Sequence, residues 1–268
     1  MGHLIRIARD RHVLTLTLDD PKTKNALSAT MVGELRAVLA DARDDRTIRA
    51  IVLRGANGVF CAGADLKGTL ALLDAEAGEG TDDPVYRMNI EGGAFFAELD
   101  QQPQTVIAVV EGPALGGGLG LVCCADVVLA TTAARFALTE VTLGIPPAQI
   151  APFVVARLGL AKARRLALTA ARLDGAEALA IGLVDAVFEA GDALETGIAA
   201  VLADIGRCAP GALAATKALL RLNVEHDPAV LRERAARAFT DCLRSAEGRE
   251  GISAFKERRK PSWAERAE

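Results

Sequence analysis

The stretch that constrains this chain most is Ile107-Ala-Val-Val-Glu-Gly-Pro-Ala-Leu-Gly-Gly-Gly-Leu-Gly-Leu-Val-Cys-Cys-Ala-Asp-Val-Val-Leu-Ala130. It reads as a buried apolar strand, a turn at Gly112-Pro113, three consecutive glycines, and an apolar helix leading to a second short strand at Val127 to Ala130. Glycines opening a helix carry a cost, each about 1 kcal/mol relative to alanine in a helix interior. The run Gly116, Gly117, Gly118 therefore asks for a reason. One is close approach: with no Cβ in the way, a ligand can lie against backbone N–H groups at a helix N-terminus, a site suited to an oxyanion or a phosphate. Tight packing of helix on strand is the other, and the run alone does not choose between them.

A second stretch of the same kind is Gly58-Val-Phe-Cys-Ala-Gly-Ala-Asp-Leu-Lys67, which follows the apolar strand Ala50-Ile-Val-Leu53 and a turn at Asn57-Gly58. Two places that each lend one backbone N–H are the minimum for an oxyanion hole. Around them, Val13 to Leu18 alternates with period two and reads as a half-buried strand ended by Asp19-Asp20-Pro21. Ser28 is placed to cap a helix in which Met31, Leu35, Val38 and Ala42 recur at helical spacing. A helix from about Val85 to Asp100, with Phe95 and Phe96 inward, precedes the strand Thr105 to Val110, and Arg135 to Leu138 reads as another strand. This strand, turn, helix, strand order predicts stacked ββα turns instead of a doubly wound sheet. The Gly/Asp/Glu-rich second half of Gly68 to Pro84 reads as a mobile surface loop, either a cover for a ligand or a plain connection. From Ala148 on the pattern is mostly helical, over 150–158, 161–171, 174–182, 192–206, 211–223 and 228–244.

Composition narrows the function classes. The 51% hydrophobic content with only 4% aromatic residues favours helix-rich α/β over an all-β sandwich. A net charge of −4, with no basic cluster beyond Arg258 to Lys260, argues against a nucleic-acid surface. Cys61, Cys123, Cys124, Cys208 and Cys242 form neither a C-x-x-C pair nor a disulfide framework, which points to a reducing, cytoplasmic setting. No signal-peptide core and no apolar run of membrane-spanning length is visible. His3, His12 and His226 are isolated, so no metal site is expected.

Phe60-Cys-Ala-Gly-Ala-Asp-Leu-Lys67 with Ala114-Leu-Gly-Gly-Gly118 resembles the enoyl-CoA hydratase/isomerase (crotonase) superfamily, and matching stretches run from Leu18-Asp-Asp-Pro-Lys-Thr-Lys-Asn-Ala-Leu27 to Glu250-Gly-Ile-Ser-Ala-Phe-Lys-Glu-Arg-Arg259. Several ordered motifs are far more specific than any one of them. The resemblance implies an α/β crotonase-like spiral of ββα turns over 1–195, holding an acyl-CoA site, and a C-terminal helical trimerisation region over 196–268. By motif position, the N–H groups of Ala64 and Gly117 hold an enolate-like thioester oxygen, and Glu140 is the general acid/base. Lys22 and Lys24 fall near the nucleotide of coenzyme A, Ala62, Asp65, Leu66, Leu115 and Gly116 along its arm and thioester, and Phe255 and Arg258 at the nucleotide end. Taken singly, Lys22, Lys24 and Arg258 also read as ordinary solvated charges, and Glu140 without the family is one more surface glutamate. No cofactor is implied beyond the coenzyme A of the substrate. The implied assembly is a homo-oligomer, a trimer or a dimer of trimers, with no nucleic acid and no membrane.

One departure bears on mechanism. Hydratases of this family typically carry a second glutamate two residues after the glycine run, where this chain has Gly120. The leading expectation is a hydratase of branched glutaconyl-CoA esters, of the methylglutaconyl or isohexenylglutaconyl type, which the pattern Ala137 to Gly159 resembles. The alternatives are a Δ3,Δ2-enoyl-CoA isomerase working with one carboxylate and a catalytically silent acyl-CoA binder.

Overall fold

The computed structural model describes residues 3–73, 83–222 and 228–265; residues 74–82, which include most of the expected loop, and His226 lie outside them. The chain opens on a hairpin of β1 (Ile5–Asp10) and β2 (Val13–Leu18), antiparallel and in register from Ile5 opposite Leu18 to Asp10 opposite Val13. β1 left no alternating signature because only Ile5 of its six residues is buried. β3 (Ala50–Gly55), β4 (Thr105–Val110), β6 (Val127–Thr131) and β9 (Ala186–Phe188) then add in parallel, giving a six-stranded sheet in the order β1-β2-β3-β4-β6-β9. A second, three-stranded sheet has the order β5 (Pro113–Leu115), β7 (Arg135–Ala137), β8 (Leu173–Asp174). The later turns of the spiral thus supply both sheets, as the ββα expectation requires.

The near-continuous apolar runs of β3 and β4 follow from burial on both faces. Ile51, Leu53, Val106, Ala108 and Val110 point into one core, shared with α1 (Ala29–Arg43), α3 (Pro84–Asp100), α4 (Gly117–Cys124) and α5 (Ala151–Thr169). The alternate residues Ala50, Val52, Ile107 and Val109 point into a second core closed by Leu194, Ile198 and Ile205 of α7 (Asp192–Gly206). Ser28 caps α1 by accepting from the N–H of Met31, and Phe95 and Phe96 of α3 are buried. The boundary expected after residue 195 falls inside α7, so the turn of helix closing the second core is continuous across it.

The helices expected over 150–158 and 161–171 are the two halves of α5, separated at Gly159, whose backbone (φ 73, ψ 158) is not helical. One feature after residue 148 differs from the helical expectation: β8 and β9, of two and three residues, are too short to show a period. α6 (Gly175–Ile181) carries a full capping box from Asp174 and Glu177. α8 (Pro210–Leu222), α9 (Pro228–Arg244), α10 (Ala246–Glu257) and α11 (Ser262–Glu265) complete the chain. Buried Arg49 ties this end to the sheet, donating from Nη1 to the Gly206 carbonyl (2.7 Å) and from Nη2 to that of Trp263 (2.6 Å). Among the described residues no single helix is long and apolar enough to cross a membrane.

Candidate active site

The site is built on a short loop between β2 and α1. Asp20 accepts from the Lys22 N–H (3.1 Å) and the Thr23 hydroxyl (2.7 Å), which curls the chain so that Lys24 and Asn25 take left-handed backbone angles. Asn25 is buried, and its carboxamide is fully used: Oδ1 accepts from the Asp20 N–H (2.8 Å), while Nδ2 donates to the carbonyls of Ala56 (3.1 Å) and Val59 (2.7 Å). That side chain locks the first small-residue stretch in place. The Lys24 carbonyl then receives the Ala62 N–H (3.1 Å), and the Leu27 N–H donates to the Gly63 carbonyl (2.8 Å).

The two small-residue stretches lie side by side. The Cys61 N–H donates to the Pro113 carbonyl (3.0 Å) and the Leu115 N–H to the Cys61 carbonyl (2.9 Å), a short parallel bridge between the loops. Two glycines are required by close approach. A Cβ on Gly63 (φ 98) would lie 2.8 Å from the Leu115 carbonyl oxygen and 3.5 Å from the Gly117 nitrogen; one on Gly118 would lie 2.8 Å from the Cys61 Cβ and nearer still to its carbonyl oxygen. Ala64, next to Gly63, is exposed, and Gly117 is the first residue of α4. Among the described residues neither the Ala64 nor the Gly117 N–H is engaged by a backbone acceptor. Two free donors on adjacent strands of chain are what a developing oxyanion needs. Within the glycine run, Gly118 is required by packing, while the Gly117 N–H is left without a backbone acceptor among the described residues.

Glu140 opens a single 3₁₀ turn, Glu140–Leu143, directly after β7, which pairs with β5 in the small sheet. The Gly116 N–H bonds to the Ala137 carbonyl (2.9 Å), bringing that strand end against the glycines. As a result the Glu140 carboxyl lies over Gly116: Oε1 would be 2.9 Å from a Cβ there. Its Oε2 is buried with no hydrogen-bond partner among the described residues, and burial raises its pKa above the ordinary 4.5. A carboxyl held this way keeps its proton to a higher pH than a solvated glutamate does, beside two open N–H groups.

The place of the second glutamate is filled. A Cβ on Gly120 would lie 2.5 Å from Cγ2 of Ile150 and 3.0 Å from Cε1 of Phe96. Gly120 is thus one wall of an apolar contact, and the departure from the two-carboxylate pattern is steric as well as chemical. Ile150 and Asn25 are site residues the sequence did not single out, and Phe96 was read there only as inward-facing; each reaches its site partners across twenty or more residues of chain and leaves no local pattern of that role.

Of the residues singled out from the sequence, Ala62, Ala64, Leu115, Gly116, Gly117 and Glu140 come together here, and Asp65 and Leu66 lead from Ala64 into α2 (Leu66–Leu73). Asp65 Oδ1 accepts from the Lys67 N–H (3.1 Å), and Leu66 is exposed. Lys22 and Lys24 are exposed on the loop that carries Asn25. Phe255, exposed, and Arg258, which ends α10 in a left-handed conformation, stand on the C-terminal helices; among the described residues no hydrogen bond joins them to the loops. Cys61 and Cys123 are buried and their thiols are pushed up to about 12, which removes them as nucleophiles.

Comparison with known proteins agrees with this geometry. A family profile described as enoyl-CoA hydratase/isomerase matches residues 8–266. A crystal structure of an enoyl-CoA hydratase/isomerase from Marinobacter aquaeolei superposes with a TM-score of 0.94 at 41% identity, covering 98% of this chain and 100% of that one. Pseudomonas aeruginosa AtuE superposes with a TM-score of 0.92 at 50% identity, covering 97% and 99%. Among curated sequences, the human mitochondrial enoyl-CoA hydratase domain-containing protein 2 is 36% identical over 139 residues, 52% of this chain and 45% of that protein. The chain spans about half the length of the curated relatives it matches.

Proposed function

Because the chain belongs to the enoyl-CoA hydratase/isomerase family, we propose that it is a hydro-lyase adding water across the α,β-double bond of an acyl-CoA thioester with Glu140 as its one catalytic carboxylate. The observation that carries this reading is the Glu140 carboxyl, laid over Gly116 with a buried, unpartnered Oε2, beside the open N–H groups of Ala64 and Gly117. In the forward direction ionised Glu140 takes a proton from water as the hydroxide oxygen bonds to the β-carbon. The π electrons move to the thioester oxygen, which the N–H groups of Ala64 and Gly117 receive; one such donor is typically worth about 3–4 kcal/mol. Glu140 then returns the proton to the α-carbon, so one carboxyl closes the cycle. Lys22 and Lys24, with Phe255 and Arg258, are our assignment for the nucleotide end, and Ala62, Asp65, Leu66, Leu115 and Gly116 for the arm and thioester.

The acyl group we assign is a branched glutaconyl chain, on the strength of the pattern from Ala137 to Gly159 and of glycine at 120. Exposed Phe239, Leu243, Ile252 and Phe255 on α9 and α10 support assembly as a homo-oligomer, a trimer or a dimer of trimers, and five free cysteines support a cytoplasmic setting.

Isomerisation is the competing reading, favoured by the apolar filling at Gly120. It would use the same carboxylate to take a proton from one carbon and return it two carbons away, with no water added. Product mass after turnover of 3-methylglutaconyl-CoA in ¹⁸O-labelled water separates the two. Hydration adds one labelled water; a product of unchanged mass with a moved double bond would replace hydratase by isomerase.

A further inference from the structure

α3 holds two adjacent glycines in its interior, each less favourable there than alanine. Gly92 faces open space, but Gly93 does not: a Cβ on it would lie 2.7 Å from Cδ of Gln149 and nearer still to Oε1. Gln149 rests its carboxamide against the bare helix backbone and donates from Nε2 to Oδ1 of Asn89 (2.8 Å). Asn89, Gly93 and Phe96 recur at intervals of four and three residues, so they share one face of α3. Phe96 is the residue whose ring edge stands 3.7 Å from the Cβ position of Gly117 and 3.0 Å from that of Gly120. Along the same helix face, Gln149 therefore rests about 4.5 Å beyond Phe96, at Gly93, and Asn89 stands about 10.5 Å beyond it, three and seven residues at ~1.5 Å each, on the wall leading away from the oxyanion donors. Ile150, the residue after Gln149, and Phe153, 6.3 Å from Phe96 ring to ring, make the rest of that wall apolar.

Asn89 is exposed and Gln149 half-buried; after their mutual bond the two carboxamides keep three N–H donors between them that face solvent, and among the described residues none of these has a protein acceptor. Covered by hydrocarbon, such donors lose their water without replacement, which costs binding. Covered by a carboxylate, they are satisfied. We propose that Asn89 and Gln149 are specificity-determining residues that bind a carboxylate borne by the acyl chain beyond the reacting carbons, so that the substrates are CoA thioesters of dicarboxylic acids. The proposal rests on the acyl-CoA reading of the site, and Gly93 is the device that lets Gln149 reach its place.

The test is calorimetric binding of two saturated thioesters that cannot turn over, 3-methylglutaryl-CoA and isovaleryl-CoA, which differ by one carboxyl group. The wild-type chain is expected to bind the first at least tenfold more tightly. Gln149→Leu and Gly93→Ala should each cut that ratio at least tenfold; the alanine displaces only the end of a flexible side chain and adds a better helix former, so it folds. Equal binding of both thioesters by the wild type, or a ratio that survives both variants, overturns the proposal while leaving the acyl-CoA reading intact. Failure of the wild type to bind either thioester overturns that reading and the proposal together.

Discussion

Glu140 and Gly116 compete for one place: a Cβ on residue 116 would lie 2.9 Å from Oε1 of Glu140 and 3.4 Å from its Cδ, at a backbone φ of 50° that side-chain-bearing residues rarely adopt. The glycine is thus the floor on which the carboxyl rests. Gly116→Ala is expected to push the carboxyl off its position and to lower turnover roughly 10²-fold, the scale of a 1 Å misplacement. Coenzyme A thioester affinity, measured by calorimetry, should change far less. An unchanged kcat would show that the carboxyl does not act from this position.

Burial raises the Glu140 pKa above 4.5, so between that value and the raised one the folded protein holds a proton that the unfolded chain has released. Folding stability contributed by the neutral acid is full below pH 4.5 and is lost as pH rises through the raised value. Glu140→Gln should therefore raise the melting temperature relative to wild type at pH 7 and leave it nearly equal at pH 4. Scanning calorimetry at both values checks the sign; a shift of equal size at both would remove ionisation as its cause. Because the base must be ionised to take a proton from water, kcat should also rise with pH, with its midpoint above 4.5.

Restoring the family's second carboxylate should fail. Gly120→Glu must displace Ile150, 2.5 Å from the new Cβ, and Phe96, and overpacking of this kind costs about 1–3 kcal/mol. We expect lower thermal stability and no gain in hydration rate with any enoyl-CoA. A faster enzyme would mean that the wall at Ile150 yields and that a two-carboxylate mechanism is open to this fold.

Asn25→Ala leaves the carbonyls of Ala56 and Val59 and the N–H of Asp20 without the partner that serves them all, in a loop held at φ 60. Each buried group so stranded costs about 1–3 kcal/mol. The expected loss is roughly 2–4 kcal/mol by denaturant titration, together with loss of turnover, since the Ala64 N–H belongs to the stretch that Asn25 holds through Ala56 and Val59. Stability within 0.5 kcal/mol of wild type, the usual range for surface changes away from such features, would contradict this role.

What was legible in the sequence was whatever acts locally. The apolar runs at 50–53 and 105–110 showed strands covered on both faces, the glycine run marked the start of α4, and Ser28 marked that of α1. Glu140 was legible only through the family pattern, because nothing adjacent to it shows that Gly116 will lie beneath. The filling of Gly120 by Ile150 and Phe96, and the resting of Gln149 on Gly93, join positions that are far apart in the chain. β1 was missed because five of its six residues are exposed, and β8 and β9 because strands that short carry no period.

The central claim, water addition by one glutamate between two backbone donors, is tested most directly by the loss of conjugated-thioester absorbance when the protein is mixed with 3-methylglutaconyl-CoA. Wild-type protein should bleach the signal, and Glu140→Gln should slow it by about 10²–10⁴ while still binding the thioester. Bleaching by the glutamine variant at the wild-type rate would contradict the account.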